Sequence, residues 1–544
     1  MRIALTLPVA VLVTLPSAAL GQVAPCAGVP GFDDRCESWS AIYDDPITAV
    51  GSYQLEPRVA ASEDGRRLFV SAINQRKNLA DPGNSPASWT VLGYDGETGA
   101  ERWQRTFQGS GNYDRPNAII ASRDGSLVVA TGGSYNAPLF TSTDRDLMTI
   151  AYDGETGAER WRAHSPGPVK DVGASALLSA DESQVFIMVN DAGANGDIDA
   201  AIAAYDAADG SLLWRTPYRG LAIGKVDSPK SIALSPTGDL IYLAVESGAT
   251  ADFDADYAVV AYATGGATPG AKVWEARYDA AQQRSDRVSD VAVDVAGRVI
   301  VTGDSLRDTG GVGTELDYAT VAYDGRDGRK LWAKRYAGPA GVGLHFGRTI
   351  ATSPGAPVVV VSGQSQETKG DNDWATVAYD SATGAELWVR RLSTPRATTE
   401  FANDMVVSPD GSAVVIAGVS GGGNPTNYRD LNRSSGITTA YSIADGTQEW
   451  VARLTGDDET DSFSPRAVVV GTDNSAFTVG QLTNNLQTDE SDNLYDSMLV
   501  AYRAATEPTP VVPEAPYAVL VPLVAMGVAG ALLTRRRAHA RRAF

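Results

Sequence analysis

Two cysteines and three histidines in 544 residues leave little room for thiolate or imidazole metal chemistry. His539 stands near the C-terminus, and His164 and His345 sit in unrelated local contexts, which excludes a histidine-built hydrolytic metal site. A Ser-His-Asp arrangement would have to use one of those same two, and no Gly-x-Ser-x-Gly elbow leads into a helical run. Also missing are a Cys-x-x-Cys-His haem motif and the twelve-residue calcium loop built on Asp-x-Asp-x-Asp-Gly. Basic charge is scarce: the chain carries −21, and six of its arginines fall in the terminal segments, so the part between them is more acidic still. Such a body repels nucleic acid and anionic membrane surfaces; cationic ligands, divalent ions or plain solubility suit it better.

Glycine and proline are plentiful, at 55 and 28, and imply many turns between short elements. The apolar share of 43% suffices for a core. Residues 1–21 read as an export signal: Arg2, an apolar run from Ile3 to Leu15, and Ala19-Leu20-Gly21 before the expected cut. No Cys follows that cut immediately, which argues against a lipoprotein. In an exported chain Cys26 and Cys36, within the N-terminal segment 22–38, form a candidate disulfide, the alternative being two unpaired thiols. At the other end, 505–516 is a Pro-rich linker, 517–534 an uncharged apolar stretch of 18 residues, and 535–544 a basic tail with Arg535, Arg536, Arg537, Arg541 and Arg542. At about 1.5 Å per residue the stretch reaches roughly 27 Å, so the expectation is one transmembrane helix with its C-terminus in the cytoplasm. This tail, with Pro513-Glu514-Ala515-Pro516, resembles the sorting signals of surface proteins processed by exosortase-type proteases.

Between the ends the chain repeats. YDGETGAERW occurs at Tyr94–Trp103 and again at Tyr152–Trp161, and looser copies run Tyr205–Trp214, Tyr262–Trp274, Tyr323–Trp332, Tyr379–Trp388 and Tyr441–Trp450. The spacing from Tyr to Tyr stays between 53 and 62 residues. Each copy is a hairpin: a β-prone run up to the Tyr, a Gly-containing turn, and a run through the Trp. A second hairpin lies between copies, clearest at 118–130, 232–244 and 405–417 with turns such as Ser-Pro-Asp-Gly. Four short strands per unit at this period predict a β-propeller blade.

The first hairpin and the Tyr strand each occur eight times, but the last unit ends after Met498–Tyr502 without a Trp strand. Trp39–Tyr43 has the form of such a strand with no Tyr strand before it. The expected architecture is therefore all-β: an eight-bladed propeller of four-stranded blades over 39–504, closed by this N-terminal outer strand, plus the C-terminal transmembrane helix. Trp39, Trp103, Trp161, Trp214, Trp274, Trp332, Trp388 and Trp450 then share one position and pack between blades, a carbohydrate or cofactor surface being the alternative.

Six aspartates precede the repeat Tyr by six residues: Asp146, Asp199, Asp256, Asp317, Asp373 and Asp496; Ser88 and Ser435 replace them elsewhere. They read either as caps that accept backbone N–H groups or as an acidic ring for Ca²⁺ or a cationic ligand. His345, in a Gly-rich stretch, reads as a loop histidine without a catalytic task.

The Tyr-Asp-x-x-Thr-Gly-x-x-x-Trp unit resembles the repeats of propellers that bind pyrroloquinoline quinone, and Asp317–Asp324 (DYATVAYD) is similar to repeats of bacterial surface propellers. For the quinone dehydrogenases the resemblance implies an adjacent-cysteine disulfide and a calcium site with a catalytic Asp. Here the two cysteines are ten positions apart outside the blades, and no motif carries that Asp. The chain also resembles the periplasmic scaffold propeller of outer-membrane protein assembly, a lipoprotein. The resulting expectation is an exported, monomeric binding or scaffold module at the cell envelope or surface, held by its C-terminal helix. Its expected partners are an envelope protein, a polysaccharide or a cationic ligand. The alternative is an enzyme with an acidic site at the channel mouth, a quinone-dependent dehydrogenase or a polysaccharide hydrolase or lyase.

Overall fold

Runs such as Ala375 to Tyr379, rich in β-branched and aromatic side chains and bounded by Gly-containing turns, satisfy their backbone groups best in short antiparallel ladders. In the computed structural model they form thirty-two strands, numbered β1 to β32 along the chain. The described residues lie within 35–504, less a set of connecting loops. The signal segment, Cys26 and everything after 504 fall outside them, so the Cys26–Cys36 pairing is not described; Cys36 itself lies on β1.

The first unit is β2 (Ser52–Ala61), β3 (Arg67–Arg76), β4 (Ala87–Asp95) and β5 (Glu101–Phe107), each antiparallel to the one before. The same order of four recurs through β29. The last unit has β30 (Ser462–Val470), β31 (Ala476–Asn484) and β32 (Leu494–Ala504), and its outer strand is β1 (Arg35–Tyr43), where Trp39 pairs with Ala501.

The first strands of the units are β2, β6 (Asp114–Ala121), β10 (Val172–Leu178), β14 (Asp227–Leu234), β18 (Asp286–Val293), β22 (His345–Thr352), β26 (Thr399–Val407) and β30. Each lies beside the first strands of the units before and after it, and β30 lies beside β2, so they surround a central axis. Every one of them carries a register shift, for example between Val288 and Asp290 and between Ala402 and Asp404.

Apolar side chains fill the space between units and not within them. Val91, Trp103 and Phe107 of the first unit pack with Val128, Ile150 and Tyr152 of the second. Phe477, Val479 and Leu499 of the last unit pack with Val59, Leu68 and Tyr94 of the first. Burial of this kind at about 25 cal/mol per Å² is the main stabilising term.

The expected fold needs correction in two respects. Hydrogen bonding divides the strands into six sheets rather than eight separate ones, because single parallel pairs, Tyr53 with Tyr495 and Asn372 with Thr399, fuse neighbouring units into two eight-stranded sheets. No hydrogen-bonded barrel closes; the circuit is one of side-chain packing. Second, the transmembrane helix and the single-pass membrane anchor built on it are withdrawn. No helix among the described residues is long and apolar enough to cross a membrane. The described apolar residues are spent on strands of 7 to 11 residues, and 517–534 lies outside the described part.

Candidate functional site

The repeated decapeptide is a turn with its own fastenings. Asp95 Oδ1 accepts the N–H groups of Glu97 and Thr98 at 3.1 and 3.0 Å and the Thr98 hydroxyl at 2.9 Å, while Arg102 donates to Oδ2 at 2.7 Å. Asp153 does the same in the second copy, and the Arg160 and Thr156 bonds hold its carboxyl down at about 2. The Trp of each unit then reaches forward. Trp39, Trp103, Trp161, Trp274, Trp332 and Trp388 donate their indole N–H to Gly96, Gly154, Ala207, Gly325, Ser381 and Ile443 of the next unit, at 2.8–3.1 Å. Trp214 makes no such bond, because the turn it faces, Tyr262 to Trp274, is three residues longer. Trp450 stacks on Tyr502 with ring centroids 6.0 Å apart.

At the start of the first strands lies a second periodic network, outside the Tyr-to-Trp repeat. Asp114 accepts from Ser134 Oγ at 2.6 Å and from the Gly109 N–H at 2.6 Å, so it ties the exit of β5 to its own unit. Asp227 repeats this with Ser247 and Gly220, at 2.7 and 2.5 Å, and Asp286 with Ser305 and the Ala280 N–H. In the sixth unit the position is His345, on a strand and not in a loop, fully buried with Nδ1 2.9 Å from Ser365 Oγ. The signal was present in the constant offset: the Ser follows by 20 residues in the second, fourth and sixth units.

The six periodic aspartates are not brought together. Four of them engage a basic side chain of their own unit: Asp146 with His164 Nε2 at 2.7 Å, Asp199 with Arg219 at 3.3 Å, Asp317 with Arg335 at 2.9 Å and also with Arg307, and Asp373 with Arg391 at 2.6 Å. They fasten outer strands to inner ones. Asp496 is half-buried on β32, and Ser88 donates to the Asn74 carbonyl at 3.4 Å.

Asp256 stands apart. Its carboxylate, with those of exposed Asp279 and buried Asp286, brings three ligand oxygens within 4.8 Å of one another, the one such group among the described residues. Burial pushes the Asp286 carboxyl up to about 6, against the bonds from Ser305 and Ala280. The cluster is a weak candidate for a divalent ion such as Ca²⁺.

Two further acids line the axis just past the register shifts. Asp290 accepts the N–H groups of Val291 and, one unit on, Ile350, at 2.8 and 3.0 Å. Asp404 accepts those of Met405 and Val468 at 2.9 and 2.8 Å. Burial pushes Asp404 up to about 6 despite these bonds; Asp290 adds repulsion and Arg58 opposes it. Asp404 of the seventh unit, Asp290 of the fifth and Arg58 of the first each sit at the register shift of a first strand, and those strands surround the axis.

A propeller of four-stranded units with periodic Tyr and Trp, its repeated polar residues engaged in joining strands, defines the class. The family model described as outer membrane protein assembly factor BamB matches residues 87–355 and 317–486, and the chain belongs to that family. The match stops short of the tail and gives no support to an exosortase-type signal. Among solved structures, BamB from Moraxella catarrhalis is 16% identical, over 83% of this chain and 100% of that one, with a TM-score of 0.41. Quinohemoprotein alcohol dehydrogenase from Comamonas testosteroni is 12% identical over 92% and 79%, with a TM-score of 0.48. A europium-containing methanol dehydrogenase is 12% identical over 86% and 93%, with a TM-score of 0.47. The comparison with curated proteins gives no match.

Two features that the resemblance to quinone dehydrogenases implies, a disulfide between adjacent cysteines and an uncommitted channel aspartate, are not found among the described residues. The chain has no adjacent pair of cysteines to lie against a quinone ring. Its two channel aspartates already hold backbone N–H groups.

Proposed function

We propose that this protein is a non-catalytic binding or scaffold module of the cell envelope, exported by its leader and engaging another envelope protein. The observation that carries this reading is the family match across 87–486, to a description of assembly rather than chemistry. The use of the polar repeat residues agrees with it. His164, His345 and the carboxylates of Asp114, Asp227, Asp317 and Asp373 are each spent on joining strands. A general acid or base needs a free proton position facing a substrate, and structural bonds of this kind remove it.

The test is cross-linking in intact cells, followed by purification of the full chain and mass spectrometry. The expected result is a recurrent envelope protein cross-linked to one face of the ring. Dye-linked alcohol oxidation, or release of unsaturated or reducing sugars by the purified protein, would overturn the reading. A second reading, support of this role by calcium, is favoured by the Asp256, Asp279 and Asp286 cluster. Equilibrium dialysis against calcium tests it: stoichiometric retention that Asp279→Asn abolishes supports it, and no retention sinks it.

A further inference from the structure

The first strands carry six basic residues, Arg58, Arg115, Lys230, Arg287, Arg348 and Arg466, an unusual concentration around the axis of an acidic protein. Three of them are neutralised: Arg115 by Glu56 at 2.8 Å, Lys230 by Glu246 at 2.8 Å and Arg287 by Asp304 at 2.7 Å. Arg466 has bonded partners of its own. Arg348 and Arg58 have no carboxylate within ion-pair distance among the described residues, and Arg58 donates only to the adjacent Pro57 carbonyl, at 3.2 Å.

Arg348 occupies the extra residue of the register shift in β22, and the repeats show what that position ordinarily does. Asn117 and Asn403 donate from it to carbonyls of the next unit, Gly173 at 2.9 Å and Pro465 at 2.6 Å. Lys230 is ion-paired. The Arg348 guanidinium instead lies over the Phe401 ring, 5.2 Å from its centroid. The acids nearest to it by charge and by unit are committed: Asp304 to both Nε and Nη2 of Arg287, Asp290 and Asp404 to backbone N–H groups.

We propose that the central channel carries an oxyanion site built on Arg348, whose ligand is a small organic carboxylate. Arg348 is exposed on β22 and has no carboxylate partner among the described residues, so its guanidinium is open to an incoming anion, although the strands packed around it lower its pKa below the usual value. A guanidinium resting on an aromatic face keeps its in-plane N–H groups available, and their fork matches a planar carboxylate in two parallel hydrogen bonds. The first strands of eight units surround the axis, and a ligand held inside that ring is a small molecule. The site stands independently of the scaffold reading, since it lies on the strands of the channel and not on the loops.

Isothermal titration of the full chain with citrate tests it, with inorganic phosphate as the second probe. We expect saturable citrate binding that weakens as salt rises. Arg348→Gln should reduce the affinity about tenfold or more, with Lys230→Gln unchanged. Arg348→Lys, checked by circular dichroism for an intact fold, should lose affinity through the missing fork while keeping the charge. Absence of binding to the wild type, or an Arg348→Gln protein that binds citrate like the wild type, would overturn the site. Phosphate bound more tightly than citrate would overturn the assignment to carboxylates.

Discussion

A methyl group on Gly157 would stand 2.5 Å from Cδ2 of Trp103, one unit away, and the glycine itself has φ +67°. Two separate demands thus fall on one residue: a left-handed backbone for the turn, and a bare α-carbon for the indole of the preceding unit. The same contact recurs between Gly99 and Trp39, Gly210 and Trp161, and Gly446 and Trp388. It explains why the turn glycine keeps step with the Trp around the chain.

Gly157→Ala should therefore cost about 2–4 kcal/mol, from left-handed strain together with overpacking against the ring. Gly266, at φ +82° with nothing within 4 Å of a built Cβ, isolates the first effect. Gly266→Ala should cost only about 1 kcal/mol. Urea denaturation of both variants checks the difference, and equal losses would refute the packing argument.

The indole hydrogen bonds make a second contrast. Trp103→Phe removes the bond to the Gly154 carbonyl, whereas the Trp214 indole N–H has no acceptor. Beyond the shared loss of ring area, Trp103→Phe should be worse by about 0.5–1.5 kcal/mol. Melting temperatures of the pair, measured side by side, report it.

Asp114→Ala leaves Ser134 Oγ and the Gly109 N–H without their common acceptor. Destabilisation of about 1–3 kcal/mol is expected. Hydrogen exchange should show the loss first at Gly109, where β5 leaves its unit; protection there equal to the wild type would count against the tie.

Asp404 makes stability depend on pH with a definite sign. Its folded pKa of about 6 lies above the ordinary carboxylate value, so the folded protein binds the extra proton and stability falls as pH rises from about 4 through 6. The shift corresponds to at most about 2–3 kcal/mol. Asp404→Asn should flatten this part of the profile, because no proton is left to lose. Denaturation at pH 4, 5, 6 and 7 measures it, and parallel profiles for the two proteins would remove Asp404 as the cause.

What could be read in the sequence was whatever repeats at short range. Tyr94 to Trp103 and its copies announced hairpins, and the incomplete last unit pointed to Trp39, because a strand's alternation and a turn's glycine are local properties of the chain. The Asp114–Ser134 tie was also legible, as a recurring offset, but only to a reader already looking for a bond across two strands. The partners of Asp146 and Asp317 were not, since a carboxylate's neighbour on the outer strand depends on register.

The sequence by itself thus determined the strands, the turns and the period, all set by backbone preference and by apolar side chains at regular intervals. Only the tertiary structure decided that six candidate ligands are mostly strand fasteners, that Asp256 meets Asp279 and Asp286, and that the Arg348 guanidinium lies over Phe401. Charge pairing and desolvation are set by distances between residues far apart in the chain, and those distances exist only once the units pack around their common axis.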